Sequence, residues 1–323
     1  MKDKFGREID YLRISVTDRC NLRCRYCTPQ CNVKNVPYNE LLSYDEIIIL
    51  TEIFAGLGIK NVKITGGEPL LRNDLPDLIK KLKTVRGIEQ VTLTTNGTLL
   101  SENLDLLLES KLDAVTISLD TLNPEKYKTI TGRDELNNVI RAINRAIDSN
   151  MKTKINVVTL RDFNYDEIYD LAKMASMKPL DIRFIEMMPI GLGKNFEGYS
   201  RDDIMRILKK SLGEPEEIDE KIGNGPATYY KFPKLTGKIG FISAISHEFC
   251  DECNRVRLTC VGKLKTCLQF DGEIDLKKML RNNVPYEEIE KEIKACILRK
   301  REKHSFTKID SQCDRLLMSQ IGG

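Results

Sequence analysis

Histidine is nearly missing from this sequence: among 323 residues it occurs only at His247 and His304. Metal centres built on several imidazoles are thereby excluded, and a metal held by this chain must be met by thiolates. Long apolar runs are missing too. No stretch approaches the roughly 20 residues that span a bilayer, and Met1 to Asp10 is charged throughout, without the hydrophobic core of a secretion signal. The chain is expected to be cytoplasmic and to have no membrane partner. It also lacks a surplus of either charge, since 51 Lys and Arg against 48 Asp and Glu leave +3. That is too little to imply a nucleic-acid partner, so any polyanion must be bound locally. Repeats and low-complexity segments are absent, and a composition 41% hydrophobic and 31% charged excludes disorder and fibres.

What is present is a βα alternation. Short β-branched runs at Leu12 to Val16, Val62 to Thr65, Val91 to Thr95, Val115 to Asp120, Lys154 to Leu160 and Ile182 to Ile185 are separated by helical patterns. Ser43 with Glu46, and Ser200 with Asp203, supply helix starts, and Gly56, Gly58 and Gly213 supply stops. The character changes near Gly213, which divides the chain into 1–214 and a C-terminal region, 215–323. Hairpin-like pieces are expected there around 227–232, 238–243 and 256–265, followed by charged helices over 274–303.

Side chains alternate between the two faces of a strand. Leu12, Ile14, Val62, Ile64, Val91, Leu93, Val115, Ile117, Ile155 and Val157 fall on one face, and Arg13, Ser15, Lys63, Thr65, Thr92, Thr94, Thr116, Ser118, Lys154 and Asn156 on the other. A closed barrel fills its interior with branched apolar residues, and a doubly wound sheet is apolar on both faces. Neither fits. Cations facing a shared interior need water, carboxylates or an anionic ligand, so the pattern predicts an α/β fold with an incomplete (β/α)6-type parallel barrel whose lumen is a binding site. A sheet with one solvated face is the alternative.

Ten cysteines in a reducing compartment point to metal or redox chemistry and away from disulfides. Cys20, Cys24 and Cys27 follow the first strand, and three thiolates at this spacing can hold three irons of a 4Fe-4S cluster while leaving the fourth iron open. Cys31 leaves a closed four-thiolate site for zinc or iron as an alternative. Gly66-Gly67-Glu68-Pro69 follows the second strand. A second trio is Cys250, Cys253 and Cys267, with Arg255 and Arg257 between them at period two, suited to phosphate. A zinc ribbon completed by Cys260 is the competing arrangement. Cys296 and Cys313 are expected to be reduced and buried.

CxxxCxxC with an aromatic before its last cysteine, together with the GGEP loop, resembles the radical S-adenosylmethionine (SAM) superfamily. The stretch from Phe249 to Thr259, then Gly262-Lys263-Leu264, Cys267-Leu268 and the terminal Gly322-Gly323, is similar to the GTP 3′,8-cyclases of molybdenum cofactor biosynthesis. The likeness runs from Asp10 to the end. It implies two 4Fe-4S clusters, on Cys20, Cys24 and Cys27 and on Cys250, Cys253 and Cys267, and SAM as radical source. It also implies conversion of GTP into (8S)-3′,8-cyclo-7,8-dihydroguanosine 5′-triphosphate, with hydrogen taken from ribose C3′ and no catalytic side chain apart from the clusters. Carried over by motif, Arg13, Lys63, Thr94, Lys154, Arg255, Val256 and Arg257 would contact GTP, and Tyr26, Gly67, Ser118 and Met188 would contact SAM. The diglycine tail would enter the pocket, although for a chain in general such an end is a frayed terminus. The family further implies a homodimer, a one-electron donor protein and a downstream pterin synthase. Thr28 departs from the methionine usual after the third cysteine, and Cys31 is extra. Two other functions fit parts of the pattern: a maturase acting on a peptide, and a nonenzymatic module with two zinc sites.

Overall fold

The structure is a computed structural model that describes residues 1–28, 34–176, 179–220, 222–306 and 317–322. Six strands lie side by side in chain order and parallel: β1 (Tyr11–Ser15), β2 (Asn61–Thr65), β3 (Gln90–Thr95), β4 (Ala114–Ser118), β5 (Thr153–Val158) and β6 (Leu180–Ile185). Helices α1 (Tyr44–Gly56), α2 (Leu75–Leu82), α3 (Leu100–Glu109), α4 (Pro124–Thr131), α5 (Leu136–Asp148), α6 (Ile168–Lys173) and α7 (Arg201–Leu212) form the connections and the outer layer. The anticipated caps are in place. Ser43 Oγ accepts from the Glu46 N–H at 3.0 Å while the Glu46 carboxylate accepts from the Ser43 N–H at 2.7 Å, and Ser200 and Asp203 open α7 in the same reciprocal way.

The core lies between strands and helices, where Leu12, Ile14, Val62, Ile64, Val91, Leu93, Val115, Ile117, Ile155 and Val157 are buried, as the alternation predicts. The C-terminal region was expected as an extension beside about six strands. It continues the same sheet on both edges. After β7 (Glu216–Ile218) and β8 (Thr228–Lys231), strand β9 (Ile239–Ile242) pairs parallel to β6. Strand β10 (Arg255–Leu258) pairs parallel to β1, followed by β11 (Lys263–Lys265) and β12 (Ile274–Asp275). The outer pairs are antiparallel: β7 with β8, β8 with β9, β10 with β11 and β11 with β12. Among the described residues the order is β12-β11-β10-β1-β2-β3-β4-β5-β6-β9-β8-β7, an open sheet whose outer strands cover the edges that six strands alone would leave bare. Helices α8 (Leu276–Arg281), α9 (Tyr286–Leu298) and the short α10 (Met318–Ile321) complete the described fold. No helix among the described residues is long and apolar enough to cross a membrane.

Candidate active site

Register brings the polar face together. Arg257, Arg13, Lys63 and Thr92 form one row across β10, β1, β2 and β3. Thr94, Thr116, Lys154 and Asp181 form a second across β3 to β6, and Ser118, Asn156 and Arg183 a third. These residues line a cavity of about 810 Å³, within the size range of cofactor and ligand sites. Its positive charge is only partly balanced. Lys154 Nζ is 2.9 Å from Tyr229 Oη and 3.7 Å from an Asp181 carboxylate oxygen. Lys63 donates to Thr116 Oγ1 at 3.3 Å and Arg183 to the same oxygen at 3.1 Å. Among the described residues Lys63, Arg183 and Arg257 have no carboxylate partner.

Burial, reinforced by Arg183, Arg13 and Lys154, pulls the Lys63 ammonium well below its usual value. Burial together with Arg13 and Arg255 does the same to Arg257, and Arg13 is lowered to about 10, chiefly by burial. An unpaired buried cation costs several kcal/mol, roughly 3–5. This cavity is therefore built for an anion.

The first cysteine trio is held at the mouth of the barrel by backbone contacts. Arg23 N–H donates to Thr131 O and Arg25 N–H to Ile130 O, fixing the loop to the end of α4. Opposite, Gly67 N–H donates to Thr17 O at 2.7 Å and Glu68 N–H to Arg19 O at 2.7 Å. A Cβ at Gly67 would stand 2.2 Å from Arg19 O, so glycine is required for this approach. Fully buried Glu68 accepts from Leu70 N–H, Thr95 Oγ1 and Asn96 N–H, tying the loop after β2 to the loop after β3. Burial pushes its carboxyl up to about 7 against those three donors. Tyr26 Oη donates to Asp120 Oδ2 at 2.6 Å, and burial raises that carboxyl to about 6.

Burial also raises all three thiols, Cys20 to about 12. The second trio is more electropositive. Burial would raise Cys253, but Arg255 and Lys300 draw it down to about 6. A clamp of side chains orders this region: Arg7 donates to Cys250 O, Glu302 O and Arg301 O, and Lys300 to Arg255 O and Thr266 O.

All six cysteines of the two trios line the cavity. Among the described residues no three His, Cys, Asp or Glu side chains stand together as a site for a single metal ion. Polarised donors face the sulfurs: Leu22 N–H and Asn96 Nδ2 on Cys20, Thr28 Oγ1 on Cys27, and Arg255 Nη2 on Cys253. Thiolate sets with such donors suit iron–sulfur clusters. Cys260 is elsewhere, buried beside Ser15, Asp18 and Arg72, and does not line the cavity. Cys296 is a free, buried core thiol, whereas Cys31 and Cys313 lie outside the described residues.

Arg13, Lys63, Thr94, Lys154, Arg255 and Arg257 line the cavity, as do Tyr26, Gly67, Ser118 and Met188. Val256 does not. Strand alternation turns its side chain into the core, beside Leu12. Sequence reasoning missed Arg183, whose place at alternate spacing in the sixth strand was a usable signal, and Tyr11, one pleat before Arg13. It also missed the loop 222–227, where Asn224 Nδ2 donates to Gln90 Oε1 at 2.8 Å, a contact with no local sequence signal. Gly322 is buried in the tail, at φ +89°, and a Cβ there would stand 2.7 Å from Thr65 Oγ1. Gly323 lies outside the described residues.

Comparison with known proteins agrees with this geometry. The model of the radical SAM superfamily matches residues 14–175, and that of Molybdenum Cofactor Synthesis C matches 180–306. A GTP 3′,8-cyclase of Clostridium perfringens strain 13 is 45% identical over 323 residues, and one of Desulforamulus reducens is 42% identical over 330, each covering all of both chains. The crystal structure of Streptococcus suis SuiB bound to S-adenosylmethionine shares the fold, with a TM-score of 0.63 at 15% identity over 91% of this chain and 72% of that one. Superfamily membership brings SAM and an iron–sulfur cluster with it. With full-length relatives at 42–45% identity and the superfamily model matched over residues 14–175, this chain is an enzyme of the radical SAM superfamily and belongs to the GTP 3′,8-cyclase family.

Proposed function

We propose that the enzyme converts GTP into (8S)-3′,8-cyclo-7,8-dihydroguanosine 5′-triphosphate, the first step of molybdenum cofactor synthesis, using SAM and two 4Fe-4S centres. One observation carries the reading: buried Arg183 and Arg257 and half-buried Lys63, without carboxylate partners among the described residues, share a single cavity with both cysteine trios. A triphosphate supplies the missing charge. Arg13, Lys63, Lys154, Arg255 and Arg257, joined by Arg183, would grip it, the guanidinium forks making paired contacts with phosphate oxygens. The Thr94 hydroxyl would add a polar contact to GTP.

Cys20, Cys24 and Cys27 would hold the first centre and Cys250, Cys253 and Cys267 the second, with Tyr26, Gly67, Ser118 and Met188 against SAM. When bound, SAM and the first centre supply one-electron cleavage and hydrogen abstraction at ribose C3′. The chain's own residues provide orientation. Anchoring triphosphate and purine at separate points fixes C3′ relative to C8, and effective molarities from such positioning reach about 10⁵–10⁸ M. Met318 of the tail lines the cavity and Gly322 packs against Thr65 and Ser15, which would limit water around a reactive intermediate. The electron would come from a separate donor protein, and a pterin synthase would take the product.

The test is anaerobic reconstitution with iron and sulfide, then GTP, SAM and dithionite, with mass analysis of products. Loss of GTP with formation of an isomer of the same mass and of 5′-deoxyadenosine is expected. 5′-Deoxyadenosine formed with GTP untouched points to a peptide substrate, and about two zinc ions per chain without visible absorption would end the enzymatic reading.

A further inference from the structure

The sulfurs of the first trio are not equivalent, and two side chains make them so. The Asn96 amide has all its bonding capacity assigned. Its Oδ1 accepts from Thr98 N–H at 3.0 Å and from Thr98 Oγ1 at 2.8 Å, and one N–H of Nδ2 goes to Asn21 Oδ1 at 2.8 Å. Asn21 Nδ2 donates in turn to Thr98 Oγ1 at 2.8 Å, closing a ring of three side chains. This ring fixes which end of the amide is nitrogen. The remaining N–H points at Cys20 Sγ, 3.8 Å away. The Asn96 backbone N–H, held by Glu68 Oε2 at 2.7 Å, anchors the ring from behind. On the other side of the loop Thr28, 3% exposed, donates its hydroxyl to Cys27 Sγ at 3.6 Å.

We infer that the Asn96 amide and the Thr28 hydroxyl are positioning residues that set the reduction potential of the centre on Cys20, Cys24 and Cys27. The inference rests on the reading of that trio as cluster ligands. A one-electron reduction adds negative charge that the thiolate sulfurs share, so a donor aimed at a sulfur stabilises the reduced form more than the oxidised one. Removing a donor drives the potential more negative. Neither side chain contacts the sulfurs of the second trio, so the second centre should not respond.

The experiment is an anaerobic redox titration followed by electron paramagnetic resonance on the reconstituted full chain, as wild type, Thr28→Val and Asn96→Ser, with Cys250→Ser assigning the two signals. Thr28→Val keeps the shape and removes only the hydroxyl. At a fixed solution potential each variant should show a reduced-to-oxidised ratio about tenfold lower for the first centre, a shift of about 59 mV for one electron. The second centre should keep its wild-type midpoint. Should Asn96→Ser lose iron, Thr28→Val decides alone. A Thr28→Val midpoint equal to wild type at full iron content overturns the inference, as does an equal shift of both centres. Absence of an iron–sulfur signal in the wild type overturns the ligand reading itself, so the two failures are distinguishable.

Discussion

Arg257 Nη1 donates to the Gly322 carbonyl oxygen at 2.7 Å across 65 positions of sequence, joining the tail to the row of strand cations. The same guanidinium is 6% exposed and has no carboxylate partner among the described residues. One carbonyl dipole does not neutralise it, so the cation remains available to an anion. The tail and the cation row therefore share a residue, so a variant of Arg257 and a variant of the tail alone are both needed to tell their contributions apart.

Arg257→Ala should weaken GTP binding by about 2 kcal/mol or more, roughly thirtyfold. Iron content should stay at the wild-type level because the arginine does not ligate the trios. Calorimetric titration with GTP alongside iron analysis checks this; parallel losses of both would make the arginine a scaffold for the cluster loop.

Gly322→Ala asks a side chain to adopt φ +89° with its Cβ 2.7 Å from Thr65 Oγ1. Left-handed backbone alone disfavours a residue with a Cβ by about 1–2 kcal/mol, and the contact adds to that. The tail should leave the cavity, exposing the C-terminus to carboxypeptidase and lowering turnover while both centres stay loaded. Unchanged protection and turnover would show that the tail tolerates the extra carbon.

Glu68 gives a pH dependence with a defined sign. Its folded value of about 7 stands above the ordinary 4.5, so between these limits the folded chain holds a proton that the unfolded chain has released. This contribution to stability is full below about pH 4.5, falls as the pH rises to about 7, and is flat beyond. Glu68→Gln should remove that slope. It should also lower stability at every pH by about 1–3 kcal/mol, because the amide NH₂ meets a donor. Urea melts at pH 5 and pH 7 measure both effects, and a variant with the wild-type slope contradicts the assignment.

Iron counting separates Cys260 from Cys267. Cys260 lies beside Ser15 and Asp18, away from the trio, so Cys260→Ser should reconstitute with the iron of the wild type. Cys267→Ser should lose the second centre and roughly half the iron. A comparable drop for Cys260→Ser would revive the four-thiolate arrangement.

Most of the barrel was legible because strand alternation is local: one chain segment places Leu12 and Ile14 behind the sheet and Arg13 and Ser15 before it. The cysteine spacing, the glycines of the GGEP loop and the capping pairs were legible for the same reason. Each states a short-range geometric requirement. Arg183 could have been added by extending the alternation to the sixth strand. Val256 was carried over with its motif, and the pleat, which sends every second side chain to the core, leaves only its backbone on the side of its arginine neighbours.

By itself, the sequence determined which faces are polar, which thiols stand at ligand spacing and where helices begin. Only the tertiary structure decided that the C-terminal strands β9 and β10 close on β6 and β1. The same holds for Cys260 facing away from the second trio and for Asn224 reaching Gln90. Those facts depend on edge pairing and on contacts between residues far apart in the chain. No local period encodes such pairings, because they are chosen by which exposed edges and buried charges the whole fold must satisfy.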